Sequence, residues 1–218
     1  MIVDERTYTA RHGCLPAYLD ALRDLALPAM KRLGHDCGGV FTTESGMLNQ
    51  VVHYWRWDSA GQRQAGFQAL GADSEFAEYR RAAAGLLLRQ ESRLLDAVTA
   101  LGTPFARAGG GGARAIVDAR TYTVTIGNVP AYFEGFRAFG LPVMERHGWP
   151  LLAYCTATGG MLHQIVHLWA WDSHAQRETI LAATLSDPAF RAYQALGAHR
   201  MIAQENRILV PAAFSPFR

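Results

Sequence analysis

Two histidines in similar surroundings are the first residues of this sequence that could do chemistry. His53 lies in the string QVVHYWRW, and His167 lies in the string QIVHLWAW. Burial among apolar side chains lowers the pKa of a histidine, which can then act as a neutral general base near pH 7. The alternative is a structural histidine that both strings keep because the fold needs it. The neighbouring Trp55 and Trp169 are expected to contact a substrate or, alternatively, to belong to the core.

A carboxylate and a further histidine distinguish the two strings. Glu44 and Asn49 precede the first string, whereas Thr158 and His163 stand at the matching positions before the second. Glu44 could act as a general acid or base opposite His163 or His167 if the two segments face each other. His163 and His167 share a strand face, but a zinc or iron site needs a third protein ligand, and none is evident nearby. We therefore expect no metal; drift in one segment is the alternative explanation of the differences.

The sequence is written twice. The segment IVDERTYT, from residue 2, returns as IVDARTYT from residue 116, and GMLNQVVHYWRWDS, from residue 46, returns as GMLHQIVHLWAWDS from residue 160. The offset is 114 residues in both cases. A duplication without gaps predicts two copies of one fold in one chain. Positions that agree between the copies are expected to serve the fold, and positions that differ are candidates for specialised function.

The first predicted strand carries a polar row that both copies keep. Side chains alternate across a strand, which puts Val3, Glu5 and Thr7 on one face and the polar row on the other. The row and its repeat consist of Asp4, Arg6, Tyr8, Asp118, Arg120 and Tyr122. Because Ala119 replaces Glu5 in the second copy, the strand face that carries Glu5 is expected to pack under helices or to lie at a sheet edge. The conserved row is then expected to be hydrogen-bonded internally or bound to a ligand.

Composition excludes several classes of protein. The chain has 218 residues, of which 50% are hydrophobic and 18% are charged, and its net charge is +2. These values suit a globular protein and give no electrostatic footprint for nucleic acid. No apolar run reaches the roughly 18 residues of a membrane span, and no signal peptide is evident. Three cysteines that do not match between the copies predict reduced thiols, and we expect a cytoplasmic protein.

Periodicity predicts the same elements in each copy. In the first copy, residues 2–9, 37–44, 49–57 and 86–95 read as strands, and residues 16–33 read as a helix that Pro28 kinks or ends. Ser59 with Gln62 forms a capping box that opens a second helix, and Asp73 opens another helical segment. The resulting order, β-α-β-β-α-β, is the ferredoxin-like unit, so the fold class is α+β.

The copies are expected to form separate domains. We assign residues 1–98 to the first, residues 99–115 to a linker with a four-glycine run, residues 116–212 to the second and residues 213–218 to a tail. The tail phenylalanines could dock on the second copy or stay frayed.

Several strings together resemble the NIPSNAP family. They are ERTY at residue 5, FTTESG at residue 41, NQVVHYW at residue 49 and QESRLL at residue 90. The resemblance implies a dimeric α/β barrel, in which two four-stranded sheets face each other and helices lie outside. Here the two copies are expected to pair within one chain, and a homodimer is the alternative.

The resemblance also implies a barrel lumen that binds a small organic molecule. We expect Arg6 or Arg120 to anchor a carboxylate, enolate or phenolate and Tyr8 or Tyr122 to hydrogen-bond it, and we also expect Asn49 to contact the bound molecule. The residues expected to move a proton are Glu44, His53, His163 and His167. Such a site would perform cofactor-free isomerisation, cyclisation, elimination or decarboxylation of a carbonyl or enol compound, plausibly in biosynthesis. The alternatives are a non-catalytic binding or scaffold protein and a haem-dependent or cofactor-free oxygenase.

Overall fold

The computed structural model describes residues 1–106 and 115–217, which form two copies of one α+β unit. The elements of the first copy are β1 (Ile2–Ala10), α1 (Leu15–Ala21), α2 (Leu27–Arg32), β2 (Asp36–Thr43), β3 (Gln50–Trp57), α3 (Ala60–Ala72), α4 (Ser74–Ala83) and β4 (Leu87–Ala97). The elements of the second copy are β5 (Ile116–Val124), α5 (Val129–Gly135), α6 (Leu141–Arg146), β6 (Leu151–Gly159), β7 (Gln164–Trp171), α7 (His174–Ser186), α8 (Pro188–Gly197) and β8 (Met201–Pro211).

The strands of both copies close into a single antiparallel barrel. Their order around it is β1-β3-β2-β8-β5-β7-β6-β4, and β4 pairs with β1 again. The two sheets meet at two seams, between β2 and β8 and between β4 and β6. The predicted ferredoxin-like units and their pairing within one chain are therefore confirmed. Closure leaves neither sheet with an unpaired edge, which is where strands otherwise associate with other chains.

Both faces of the sheets are covered by apolar packing. Inside the barrel, side chains from the two copies form one cluster that includes Val3, Phe41, Val117 and Leu209. Outside, each sheet packs under its own helices in a separate cluster. Burial on both faces explains why β3 and β7 read as almost continuous apolar strings.

Each long first helix is interrupted by a turn of π-helix. The π segments span Leu22–Ala26 and Phe136–Gly140, directly before the turns that contain Pro28 and Pro142. A proline lacks the N–H that an α-helix needs at this point, so the preceding turn widens to accommodate it. The helix continues beyond the proline, and its regular hydrogen bonding is interrupted, as the sequence predicted.

Glycine and phenylalanine residues close one end of the barrel. Phe105, which follows the first copy, and Phe217, near the C-terminus, are both buried against Phe41 or its neighbours, and the rings of Phe41 and Phe217 lie 5.6 Å apart. Gly38 permits this packing, because a Cβ atom at that position would lie 2.7 Å from the Phe105 ring. The backbone N–H of Val40 donates to Ser215 Oγ over 3.0 Å. The tail therefore docks, but on β2 of the first copy and not, as expected, on the second copy.

The expected linker is described only in part. Residues 99–106 include a short 3-10 turn and the buried Phe105, whereas the four-glycine run at residues 109–112 lies outside the described residues. In the described part of the chain, no helix combines the length and apolar character needed to cross a membrane.

The docking of the tail makes a prediction about stability. Replacing Phe217 with Ala should lower the free energy of unfolding by about 3 kcal/mol, because the substitution leaves a cavity among buried rings. The matched control is Phe139→Ala, since Phe139 is 55% exposed and its loss should change the value by less than about 0.5 kcal/mol. Urea denaturation followed by tryptophan fluorescence measures both. Equal effects of the two substitutions would contradict the docked tail.

Candidate functional site

The polar row of the first strand lies outside the barrel, so its expected place in the lumen is wrong. Arg6 stacks on Phe67 of α3, with its guanidinium carbon 4.2 Å from the ring centroid, and Tyr8 packs against Tyr18 of α1. In the second copy, Arg120 and Tyr122 occupy the equivalent outer face of β5. The inner face of the first strand carries Val3, Glu5 and Thr7 instead.

A buried carboxylate explains why the row faces the helices. Asp4 has no exposed surface and accepts hydrogen bonds from Arg6 Nε (3.1 Å), Arg63 Nε (2.8 Å) and Ser92 Oγ (2.6 Å). Arg63 belongs to α3 and Ser92 to β4, so one carboxylate ties the first strand to a helix and to a neighbouring strand. Asp118 repeats this arrangement with Arg120, Arg177 and Asn206. The aspartate and arginine of each copy therefore form a structural ion pair, which is the alternative that the sequence left open.

The two histidines occupy equivalent positions but differ in their contacts. His53 Nδ1 accepts a 2.6 Å hydrogen bond from Trp55 Nε1, so His53 is a structural, hydrogen-bonded histidine. Neither ring nitrogen of His167 has a hydrogen-bond partner among residues 1–106 and 115–217, and Trp169 Nε1 has none there either. Burial, followed by the charge of the nearby arginine, lowers the pKa of each histidine to about 3. Both imidazoles are therefore neutral at pH 7.

A cavity between the second sheet and its helices adjoins His167. We call it the sheet–helix cavity; its volume is about 370 Å³. Its lining consists of Arg120, Tyr122, Tyr132, Met144, His167, Leu181, Leu185, Phe190, Tyr193, Gln194, Gly197, Ala198, Met201 and Gln204. Three of the predicted site residues thus come together here. Trp169 lies behind His167 in the core and does not line the cavity, and Trp55 is a core residue of the first copy.

A difference in side-chain size between the copies leaves space for this cavity. In the first copy, the ring of Phe67 lies between Arg6, Trp57 and His35. The second copy has Leu181 at the position of Phe67, and a smaller side chain leaves space on the sheet. It also has Trp149 at the position of His35, and Arg120 stacks on that ring at 4.9 Å rather than on the helix.

Two tyrosines on the cavity wall are protonated hydrogen-bond donors. Burial raises the pKa of Tyr132 well above its usual value and that of Tyr193 to about 12, so both phenols stay protonated at pH 7. Tyr193 lies directly against the π segment, where a Cβ atom on Gly140 would be 2.7 Å from its ring. The first copy has Ala26 at that position. Gly140 thus gives the Tyr193 ring room beside the helix.

The remaining predicted residues lie apart from this cavity and from each other. Glu44 is on the outer surface, where its carboxylate is 2.8 Å from His174 Nε2, so it does not face His163 or His167 across a lumen. Asn49 and His163 each lie directly before a strand, and both residues have a positive φ, at 59° and 58°. Asparagine and histidine both tolerate this conformation better than most residues, which gives a structural reason for the exchange. Their catalytic and binding roles stay predictions.

A second cavity occupies the open end of the barrel, and sequence reasoning missed its key residues. We call it the lumen mouth; its volume is about 430 Å³, and Glu5, Arg93 and Arg207 lie on its wall. The replacement of Glu5 by Ala119 is visible in the sequence, but there it suits packing under helices as well as it suits a site. No group of three His, Cys, Asp or Glu side chains that could hold a metal occurs in the parts of the chain described.

Comparison with known proteins gives consistent results. A model of the NIPSNAP family matches the chain twice, over residues 3–100 and 117–216. Over 215 residues, the chain is 23% identical to protein NipSnap homolog 2 of Homo sapiens, which covers 95% of this chain and 73% of that protein. A crystal structure of an uncharacterized NIPSNAP domain protein from Burkholderia xenovorans is 30% identical and covers 45% of this chain and 96% of its own, with a TM-score of 0.44.

A further structure resembles both copies together. A candidate monooxygenase from Fusobacterium nucleatum is 10% identical, covers 96% of this chain and 91% of its own, and has a TM-score of 0.68. At this identity the likeness concerns the barrel fold alone. The family match, in contrast, covers nearly all of both copies, and the chain belongs to the NIPSNAP family as two tandem copies of its domain.

Proposed function

We propose that the chain binds a small aromatic carbonyl or enol compound in the sheet–helix cavity and moves a proton on it without a cofactor. The observation that carries the proposal is His167, a fully buried imidazole beside an open cavity with both nitrogens unpaired in the described chain. A buried polar group without a partner is costly, and a ligand with a carbonyl or hydroxyl group would relieve that cost.

The cavity favours negative charge on a ligand oxygen. Arg120 is held in place by Asp118 through Nε (3.0 Å) and Nη2 (2.8 Å), and the phenols of Tyr132 and Tyr193 add donors that stay protonated. Donors fixed before the ligand arrives stabilise charge that develops on an oxygen during a reaction. An enolate or a phenolate therefore matches this site better than a cation does.

Among the described residues of the cavity wall, His167 is the only titratable group that could accept a proton at neutral pH, since the others are arginine and tyrosine. Both of its nitrogens have almost no accessible surface, so the ligand reaches one of them when the side chains over the ring move aside. In the proposed step, that nitrogen takes a proton from the carbon next to the carbonyl, and the electron pair of the broken C–H bond moves to the carbonyl oxygen. The resulting enolate, next to the imidazolium, raises the pKa of His167 while both are present. Return of the proton to another carbon completes an isomerisation, with no net oxidation.

A binding protein without catalysis is the alternative, and the low pKa of His167, about 3, favours it. A weakly basic imidazole can orient a ligand by one hydrogen bond without removing a proton. Deuterium exchange separates the two functions, with 2′-hydroxyacetophenone, a methyl ketone, as the probe in D₂O. Catalysis predicts enzyme-dependent exchange of its methyl protons, seen by NMR, whereas a carrier would bind the ketone and leave exchange at the buffer rate. Titration with haem tests the third alternative, which a Soret band would support.

Comparison of the two copies suggests a substitution that should fill the sheet–helix cavity. Replacing Leu181 with Phe introduces the side chain of the first copy and should fill part of the sheet–helix cavity. We expect the affinity for 2′-hydroxyacetophenone, followed by quenching of tryptophan fluorescence, to fall about tenfold or more, because overlap with a ring excludes the ligand. The matched control is Phe67→Leu, which changes the equivalent position of the first copy and should leave the affinity unchanged. Unaltered binding by the Leu181→Phe protein would place the ligand elsewhere.

The two histidines allow a paired test. His167→Phe removes no protein hydrogen bond in the described chain, so it should change the free energy of unfolding little while abolishing exchange and weakening binding. His53→Phe leaves the buried Trp55 Nε1 without its acceptor and should cost about 1–3 kcal/mol of stability, with exchange unchanged. Thermal unfolding and NMR exchange on both proteins measure these effects. The reverse pattern would falsify the assigned roles.

A further inference from the structure

The lumen mouth contains one carboxylate between two arginines. Glu5 is 5% exposed and accepts hydrogen bonds from Arg93 Nη2, at 2.9 and 3.0 Å, and from Arg207 Nη2, at 2.9 Å. Burial alone would raise the pKa of Glu5, but the charges of the two arginines outweigh it and hold the pKa below its usual value. The three groups are therefore all ionised at pH 7.

Comparison of the copies identifies the position of a missing carboxylate. Glu5 pairs with Arg93 across β1 and β4, and the equivalent pair across β5 and β8 is Ala119 with Arg207. Lacking a glutamate opposite it, Arg207 reaches across the lumen to Glu5. Leu168 also replaces Tyr54 on the inner face of the neighbouring strand. The second copy thus contributes less side-chain volume to the lumen, and Ala119 lines the cavity.

The charges at the base of this cavity do not balance. Arg93 and Arg207 carry two positive charges and Glu5 carries one negative charge, which leaves one positive charge in excess. The side chains of Arg93 and Arg207 are only 19% and 22% exposed, so water screens the excess poorly. Glu91 and Glu205 also line the cavity, but Glu91 is 42% exposed and bonded to Arg89, and Glu205 is exposed, so water screens their charges better than those of the two arginines. A buried excess charge favours a counterion of opposite sign.

The outer part of the cavity is apolar on two opposite sides. The β2–β3 and β6–β7 loops bring Met47 and Met161 to the opening, where they are 58% and 66% exposed. Each sulfur accepts a hydrogen bond from the amide of a glutamine on the following strand, at 3.2 and 3.3 Å. Methionine side chains adapt to flat or flexible apolar groups. The cavity therefore combines a cationic base with an adaptable apolar opening.

We infer that the lumen mouth is a second ligand site, which takes a small organic monocarboxylate with an apolar body. The ligand carboxylate pairs with Arg207, in the place that a glutamate at position 119 would occupy, and the apolar body lies between Met47 and Met161. Thr121 and Gln164, which hydrogen-bond Arg93 at 3.3 and 3.0 Å, keep the second guanidinium in position. This site is separate from the sheet–helix cavity and does not depend on the function proposed there.

Binding of benzoate tests the inference directly. The measurement uses calorimetry on the full chain carrying Leu181→Phe, which fills the other cavity. We expect one benzoate per chain and binding of benzamide, the neutral analogue, that is about tenfold weaker or more, because a charge-assisted contact with arginine is lost. Equal affinity for the two compounds, or no benzoate binding at millimolar concentration, would overturn the inference. Neither outcome bears on the sheet–helix cavity, which the ketone assays test separately.

Two substitutions at one position test the inference through both stability and benzoate binding. Ala119→Glu supplies the missing carboxylate from the chain itself, whereas Ala119→Gln adds the same volume without the charge. We expect the Glu variant to melt about 2–4 °C above the Gln variant at pH 7, since the carboxylate would pair with Arg207, and to bind benzoate at least about tenfold more weakly than the parent chain. A Glu variant that is less stable than the Gln variant, or that binds benzoate as tightly as the parent chain, would show that this position beside Arg207 does not favour an anion.

Discussion

Neither four-stranded sheet of this chain can bury its inner face alone. The cluster inside the barrel takes side chains from both copies, and Val3, Phe41, Val117 and Leu209 contact one another only because the sheets meet at two seams. Every other feature follows from this closure, since it fixes the outer faces against the helices and leaves the remaining lumen open at one end. Phe105 and Phe217 then seal the opposite end. The duplication thus makes barrel formation a property of a single chain.

Within this common frame, a few side chains decide whether space between sheet and helices is filled. Phe67 occupies it in the first copy, whereas the smaller Leu181 leaves a cavity in the second. The backbone, the buried aspartates and the π segments are shared by both copies. The presence of a cavity therefore rests on differences in side-chain volume, and a conserved row can be structural in one copy and line a cavity in the other. Function on a duplicated fold must be argued from such local differences.

The sequence was sufficient to predict the repeat, the order of elements, the family and the barrel. It could not say which strand face lines the lumen, because both faces are buried, one by the opposite sheet and the other by helices. The alternation of side chains along a strand then divides its residues between two faces, but it does not show which face points into the lumen. For Asn49 and His163 the difficulty is different, since their shared positive φ is a backbone property that residue types only suggest. His167 was recognised, but its difference from His53 depends on contacts that strand patterns do not contain.

Glu5, a carboxylate at the lumen mouth without a counterpart in the second copy, affects how the barrel can be used. In a dimer of identical chains, any group near the twofold axis appears twice, so a molecule bound on the axis meets two equivalent halves and can lie either way round. Here Glu5 faces Ala119, and Tyr54 has Leu168 as its counterpart. The lumen consequently has a direction, and a molecule without symmetry of its own can be held in one orientation. Fusion of the two copies makes such handed recognition available at the centre of the barrel, where a symmetric pair of chains could not provide it.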